Sequence, residues 1–327
     1  MSGRSAAPSR RGPCAPCQWT VSNRRGRAAR RQRRQRRAEV LHCAALRLFV
    51  VPSFVLLAAC AQQPGRPIPA RQSEAIEANR RAELRFRSGD FDGAVQQYQV
   101  ALRIAQSVED VDGIAANAIN LSIAYQRLGK HAEARASLDP VLDHSGLSFP
   151  PARLAQAALR RAVLDFDERR HTGAAEWLEK AATWCGQQGC TLSSAIYNVR
   201  GLLALEEGRT DAAAASARAA LAASRGSGDR VEAANAMRLL GNVAIRAGDA
   251  AAALAPLTEA LAIDRELALP RKIYLDLVSL GRASVLGGER AAARTYYERA
   301  LAVSEADRDA QGATEVRDLL RALGGDP

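Results

Sequence analysis

The feature of this chain that most constrains its fold is an internal repeat of about 40 residues. Six segments carry an alanine at the same place, and successive alanines are separated by 39 or 40 residues. A second small or apolar residue follows each alanine by seven positions, and a third, always small, precedes it by twelve. A repeat of this length indicates stacked units that bury their apolar faces against each other. These register alanines are Ala94, Ala134, Ala174, Ala213, Ala253 and Ala293.

The repeat units are predicted to be helical. From about residue 73 to residue 323, apolar residues recur at spacings of three and four, and the alternation typical of strands is missing. Each unit is long enough for two antiparallel helices, which we call helix A and helix B in chain order. Val316, Leu319, Leu320 and Leu323 share one face of a final helix, as a capping helix at the end of a stack requires.

The stretch "NLSIAYQRLGKHAEA", Asn120 to Ala134, resembles the tetratricopeptide repeat. The resemblance implies an all-α fold: a right-handed superhelical solenoid of six helix-turn-helix repeats plus a C-terminal capping helix, with small residues of helices A and B in contact. The usual period is about 34 residues, and HEAT-like repeats, with a period near 40, are the alternative. Pro256 departs from the pattern and is expected to kink helix B of repeat 5. The matching residues are Leu121, Ser122, Tyr125, Gly129 and Ala134.

A short apolar run, Leu48 to Ala59, precedes the repeats. It is too short for a membrane span, which needs about 20 apolar residues, and it has the pattern of a signal peptide. Its end, Leu57-Ala58-Ala59-Cys60, resembles the bacterial lipobox, which implies that Cys60 is the lipidated first residue of the mature chain. Ala61 stands directly after this cysteine, where an aspartate often marks inner-membrane retention in such families. The resemblance therefore implies an outer-membrane location. We therefore predict a leader and lipoprotein signal peptide at 1–59, a tether at 60–72 and a tetratricopeptide repeat domain at 73–327.

The positive charge of the chain is concentrated in the predicted leader. Of 46 basic and 35 acidic residues, residues 1–59 hold thirteen arginines and one acid, Glu39, which leaves 33 basic and 34 acidic residues. A near-neutral mature chain has no basic footprint for nucleic acid. The run "RRQRRQRR", Arg30 to Arg37, is interpreted as an overlong basic region of the signal, which initiation near Val40 would explain. A polybasic patch and a twin-arginine export signal are the alternatives.

The cysteines divide in the same way. Cys14, Cys17 and Cys43 fall in the predicted leader. Cys185 and Cys190, in "WCGQQGC", are predicted to form a disulfide in an oxidising periplasm, and two reduced thiols are the alternative.

No catalytic or metal-binding pattern accompanies the repeats. The mature chain has three histidines, His131, His144 and His171, without a second ligand at metal-site spacing. Carboxylates are numerous, but none has a fixed partner that would assign it acid or base chemistry. We therefore predict no enzyme activity, no metal and no cofactor.

Polar residues of helices A are the candidate binding surface. In tetratricopeptide solenoids helices A line the concave face, and residues four apart share one side of a helix. Asn amides suit the backbone of an extended peptide, and Arg suits carboxylates, so we predict a protein partner with an acidic or C-terminal segment. The predicted groove residues are Arg238, Asn242, Arg246, Arg282, Asn117, Asn120, Arg127 and Asn198.

These features together predict an outer-membrane-anchored periplasmic scaffold that serves envelope assembly, similar to the pilotins of type IV and tight-adherence pili. An adaptor or regulator of cell-wall synthases or hydrolases is the alternative. If the signal is not used, a cytoplasmic sensor module is a further alternative.

Overall fold

The computed structural model describes residues 68–143, 146–186 and 191–324, and all regular structure in these ranges is helical. Cys60, His144 and Cys190 lie outside the described residues, as do the leader and most of the tether. No helix in the described ranges is both long and apolar enough to cross a membrane. The helices are α1 (Ala70–Arg87), α2 (Phe91–Ser107), α3 (Val111–Arg127), α4 (His131–Ala136), α5 (Asp139–Leu142), α6 (Pro151–Asp167), α7 (His171–Gly186), α8 (Ser193–Glu206), α9 (Thr210–Ser227), α10 (Arg230–Arg246), α11 (Ala250–Glu266), α12 (Pro270–Leu286), α13 (Arg290–Ala306) and α14 (Ala310–Ala322).

The helices form six A/B pairs and a final single helix, which confirms the predicted solenoid. Helices A are α1, α3, α6, α8, α10 and α12, and helix B of repeat 2 is split into α4 and α5. The first helix begins at Ala70, three residues before the predicted start. Val316 is fully buried and Leu320 nearly so, which confirms that α14 caps the end of the stack.

Close approach of the paired helices depends on the small register residues. All six register alanines are fully buried. A Cβ added at Gly281 would lie 2.2 Å from Cε1 of Tyr297, and one at Gly241 would lie 2.4 Å from Cγ of Leu257. In these two repeats the small residue of helix A thus receives a large side chain of helix B, rather than the small one that the resemblance implied.

Proline affects two of the helices B differently. In repeat 2 the helix is interrupted at Ser137 and Leu138, just before Pro140. Pro140 lacks an N–H group, and in a continuous helix its ring would clash with the carbonyl four residues earlier. In repeat 5, α11 runs through Pro256 without interruption.

The two ends of the solenoid approach each other at one edge. Arg127, at the end of α3, lies 3.7 Å from Asp307, at the end of α13 (Nη2 to Oδ2). The same guanidinium lies 4.7 Å from the centre of the Phe91 ring at the start of α2. Repeat 2 therefore contacts repeat 6 directly, and repeat 1 contacts the same arginine.

Candidate functional site

The concave side of repeats 3 to 6 contains a cavity of about 450 Å³, which we call the central cavity. Its walls come from α6, α8, α10, α12 and α14, that is, from the helices A and the capping helix. The floor is apolar and only half buried, because the apolar side chains of neighbouring helices A do not meet across the concave face. The floor includes Leu159, Val163, Val199, Leu202 and Leu275.

Four of the eight predicted groove residues line the central cavity: Asn198, Arg238, Asn242 and Arg282. Their helices stack side by side, so residues that lie far apart in the sequence share one wall. Asn242 is half buried and Arg282 is exposed. The residues chosen from helices A of repeats 4, 5 and 6 therefore share one surface.

The other four predicted residues lie elsewhere. Asn120 lines a second cavity of about 430 Å³, which shares Leu159 and Val163 with the central cavity. Arg127 contacts Asp307 at the meeting of the two ends. Arg246 is exposed at the end of α10 and is not among the residues that line these cavities.

Asn117 has a structural position. It is 3% exposed, and its Nδ2 donates to the Gly113 carbonyl at 2.8 Å. Its Oδ1 accepts from Nδ2 of Asn79 at 2.7 Å. Both polar groups of the Asn117 amide are thus used, one within α3 and one between repeats 1 and 2, which leaves little for a partner.

Arg238 lines the central cavity as a buried, paired cation. It is 8% exposed, and its Nε donates to Asp276 Oδ1 at 2.6 Å. Its Nη2 donates to Asp264 Oδ2, and both aspartates are fully buried. The sequence did not indicate this pairing, because the two acids come from neighbouring helices, α11 and α12, which the spacing within α10 does not reveal.

Two buried carboxylates share this one guanidinium. Burial raises the pKa of Asp276 to about 7, against the opposing effect of Arg238 and with a further rise from Asp264. Burial also lowers the pKa of Lys272, which is repelled by Arg238 as well. The Lys272 Nζ donates to Asn235 Oδ1 at 2.6 Å. The charged side chains of this wall therefore form a hydrogen-bonded network and are not a row of unpaired cations.

Asn198 and Arg282 are paired in the same manner. The Nδ2 of Asn198 donates to the Glu232 backbone oxygen at 3.0 Å and to its Oε2 at 2.7 Å. Arg282 Nη2 lies 2.9 Å from Glu315 Oε1, and the Tyr274 hydroxyl donates to Glu315 Oε2 at 2.8 Å. The predicted excess of positive charge on this wall is therefore cancelled by acids.

Sequence reasoning missed Asp264 and Asp276, although the repeat contains a signal for Asp264. Positions equivalent to Asp264 carry small residues, such as Ser224 and Ser304, and both of these are buried. Positions equivalent to Asp276 are mixed, because repeat 1 carries the exposed Glu77 and repeat 2 carries Asn117. The acid at the otherwise small register position of Asp264 is therefore the signal of a buried ion pair.

The second cavity contains a half-buried arginine, Arg160, which the sequence did not single out. Its Nε donates to Ser122 Oγ at 2.9 Å, and its Nη2 donates to Gln126 Oε1 at 2.6 Å. Burial lowers the pKa of Arg160 to about 10. This guanidinium joins helices A of repeats 2 and 3 and places a cation at the cavity wall.

The predicted cysteine pair is described at one end only. Cys185 is disulfide-bonded in the structure, and Cys190 lies outside the described residues, so the pairing of these two residues stays a prediction. Within the described ranges, no group of three or more His, Cys, Asp or Glu side chains is placed to hold a metal ion. His131 and His171 lie at equivalent starts of helices B in repeats 2 and 3.

The fold and its register residues define a class of protein, the solenoids of stacked helical pairs. A family model described as tetratricopeptide repeat matches residues 74–143 and 192–266, and another of the same description matches residues 119–187. The chain belongs to the tetratricopeptide repeat family, whose members bind protein or peptide partners. A comparison with curated proteins found no match.

Solved structures share the fold at low sequence identity. The chain is similar to BtubC from P. vanneervenii, with 19% identity, a TM-score of 0.50 and coverage of 74% of this chain and 94% of that one. It is similar to a Rap protein complexed with Competence and Sporulation Factor, with 14% identity, a TM-score of 0.55 and coverage of 77% and 71%. A signal transduction ATPase with a tetratricopeptide repeat sensor, from Pyrococcus horikoshii, matches with 15% identity, a TM-score of 0.53 and coverage of 74% and 37%.

Proposed function

We propose that the central cavity is the docking site for an extended segment of a protein partner, and that the chain is a non-enzymatic scaffold. The observation that carries this proposal is the half-buried apolar floor, walled by helices A of four repeats. An apolar surface of this kind gains free energy when a partner side chain covers it. The paired polar wall fixes its shape, so the cavity loses little conformational freedom on binding.

The chemistry of the wall suits an apolar side chain with a peptide backbone beside it. Leu159, Val163 and Leu202 supply the apolar contact, and the Asn242 amide is placed to hydrogen-bond a backbone. Both side chains of the Arg282–Glu315 ion pair are about half exposed. Such pairs contribute about 0–1 kcal/mol, so a carboxylate of the partner can replace Glu315 at small cost.

The docking proposal is tested by one substitution in the floor and one control. Leu202→Asp places a charge in the floor, whereas Leu254→Asp places the same charge on α11, where Leu254 is 41% exposed. With the full chain as bait in an envelope extract, Leu202→Asp is expected to lose the partner that the parent and Leu254→Asp retain. Equal recovery by both variants, each with the helical circular dichroism of the parent, would show that the central cavity is not the docking site.

We further propose that the scaffold works at the periplasmic face of the outer membrane, held by a lipid anchor on Cys60, in envelope assembly. The lipobox resemblance and the Pro- and Gln-rich segment after Cys60 support this placement. An acylated cysteine followed by an extended tether lets the solenoid reach partners near the membrane. A role as an adaptor of cell-wall enzymes would use the same anchor.

The anchor is tested by replacing Cys60 with Ala. The variant is expected to lose labelling by a palmitate analogue and to remain unprocessed or become soluble, because no other residue offers the lipobox sulfur. Cys43→Ala is the matched control, since Cys43 lies in the predicted signal and is expected to leave labelling unchanged. Labelling of the Cys60→Ala variant at the level of the parent would refute the anchor and favour a cytoplasmic module.

A further inference from the structure

The edge where the two ends of the solenoid meet encloses a cavity of about 760 Å³, which we call the seam cavity. One side comes from the turn between α1 and α2 and from the end of α3. The other side comes from the segment before and within α12 and from the turn after α13. Its volume lies in the range of ligand sites, about 300–1,000 Å³.

The seam cavity has an excess of positive charge. Its lining contains the five cations Arg87, Arg127, Arg271, Lys272 and Arg308, and Asp307 is the single acid among the lining residues. Since the chain outside the leader is near neutral, this excess is local. The charge also distinguishes the seam cavity from the central cavity, where Arg238 and Arg282 are paired with acids.

Two of the arginines in this lining have no acidic partner among the described residues. Arg87 and Arg308 are exposed, and neither forms an ion pair with any described residue, whereas Arg271 is paired with Asp309. Arg127 lies 3.7 Å from Asp307, at the outer limit of an ion pair. Guanidinium groups bind carboxylates through two parallel hydrogen bonds, and Arg87 and Arg308 have this capacity unused.

The seam cavity also has an aromatic floor. The rings of Phe86 and Phe91 lie 5.2 Å apart, edge to face, and both residues are half buried. Leu269 and Pro270 line the opposite side. Cations around an apolar floor suit a ligand that carries an apolar side chain between anionic groups.

We propose that the seam cavity binds an acidic segment of a protein partner, in which an aromatic or aliphatic side chain is flanked by carboxylates. Nucleic acid is disfavoured because its recognition uses a basic stripe that follows the phosphate backbone, and these cations are confined to one cavity. The site is separate from the proposed docking site in the central cavity, although Lys272 and Leu275 line both. A bound segment would join repeats 1 and 2 to repeats 5 and 6.

The test measures the fluorescence anisotropy of a labelled Glu-Asp-Phe-Asp-Glu peptide with the full chain at low salt. The double variant Arg87→Gln and Arg308→Gln is expected to bind at least about tenfold more weakly, since each arginine supplies a charge-assisted contact. The control is Arg103→Gln with Arg225→Gln, two exposed arginines outside the cavity, and it is expected to bind like the parent. Equal binding by both double variants, or an equal loss in both, would overturn the site.

Three further arms define the ligand. Asp307→Asn removes the one acid of the lining and is expected to tighten binding by at least about threefold, and weaker binding would count against the proposal. The analogue Gln-Asn-Phe-Asn-Gln is expected to bind at least about tenfold more weakly than the acidic peptide, and equal affinity would refute the charge assignment. Displacement of the peptide by oligothymidylate at lower concentrations than by unlabelled peptide would overturn the peptide in favour of a phosphate ligand.

Leu202→Asp should leave binding of the acidic peptide to the seam cavity unchanged, which separates the result from that of the central cavity.

Discussion

Arg238 was predicted to bind a partner, but its contacts stabilise the wall of the central cavity. Its guanidinium is held between two fully buried carboxylates, Asp264 and Asp276. Removal of one member of a buried ion pair leaves charge without compensation in a region of low dielectric constant. Substitutions of Arg238 therefore report on folding before they report on binding.

We predict that Arg238→Ala lowers the free energy of unfolding by about 3–5 kcal/mol, because two buried acids lose their cation. Arg246→Ala is the matched control, because Arg246 lies on the same helix and is exposed; its effect is expected within about 0.5 kcal/mol. Urea denaturation followed by circular dichroism measures both. Similar stabilities for the two variants would contradict the buried triad.

The same group of residues predicts a pH dependence. The pKa of Asp276 is raised from an ordinary value of 3.8 to about 7 by burial. Between these values the folded state holds a proton that the unfolded chain has released, so this group makes stability fall as the pH rises from about 4 to about 7. Asp276→Asn is expected to flatten the slope of unfolding free energy against pH in this window.

The slope is measured by urea denaturation at intervals between pH 4 and pH 8. The facing groups are Arg238, Asp264 and Lys272, and all three remain in the Asp276→Asn variant. Asp318→Asn, an exposed substitution on α14, is expected to keep the slope of the parent. If Asp276→Asn also keeps that slope, the proton is not held at this site.

For single residues, the sequence predicts which side chains lie on the wall of the central cavity, but not which of them bond to each other. The choice of polar residues on helices A placed Asn242 and Arg282 on the wall that the structure shows. It could not show that Asp264 points at Arg238, because this contact depends on how helices A and B of repeat 5 pack, or that Asp276 does so, because that contact depends on how repeats 5 and 6 are rotated. A comparison of equivalent positions along the six repeats identifies Asp264 as the one acid among small residues, and we expect this comparison to be informative for other solenoids.

The helices were the most predictable level of the structure. Their number and order follow from the six register alanines, since each of these residues needs a close neighbour. The interruption at Ser137 and Leu138 was not predicted, because Pro140 lies between register residues that fit the pattern on both sides. The backbone hydrogen bond that proline cannot make outweighs the periodic apolar pattern at that point.

Helix α9 is the element that we predict to be least stable within the stack. Its buried residues are Ala213, Ala217, Ala220 and Ser224, whereas α13 buries Tyr297 at the position equivalent to Ala217. Small side chains bury less apolar area and so contribute less to stability. Native-state hydrogen exchange is expected to be faster in α9 than in α13, although α9 is central and α13 lies near one end. The reverse order would mean that distance from the ends, rather than packing, controls local opening.

At the scale of the whole molecule, the approach of the two ends could not be predicted from the sequence. It results from small rotations between successive repeats, which accumulate along the stack. Arg127 was predicted to lie in the groove, and it lies instead beside Asp307 and Phe91 at the seam. Closure at this edge separates the apolar central cavity from the cationic seam cavity, so one chain has two surfaces of different chemistry.

Docking of a partner on the concave face of helices A can be detected by site-specific photo-crosslinking in cells. A photo-reactive residue replaces Val199, in the floor of the central cavity, or Glu259, exposed on α11. We predict a single crosslinked protein from position 199 and none of it from position 259. Peptide mapping should locate the crosslink to a segment of the partner with an apolar residue. The same adduct from position 259 alone, or equally from both positions, would show that the partner does not dock in the central cavity.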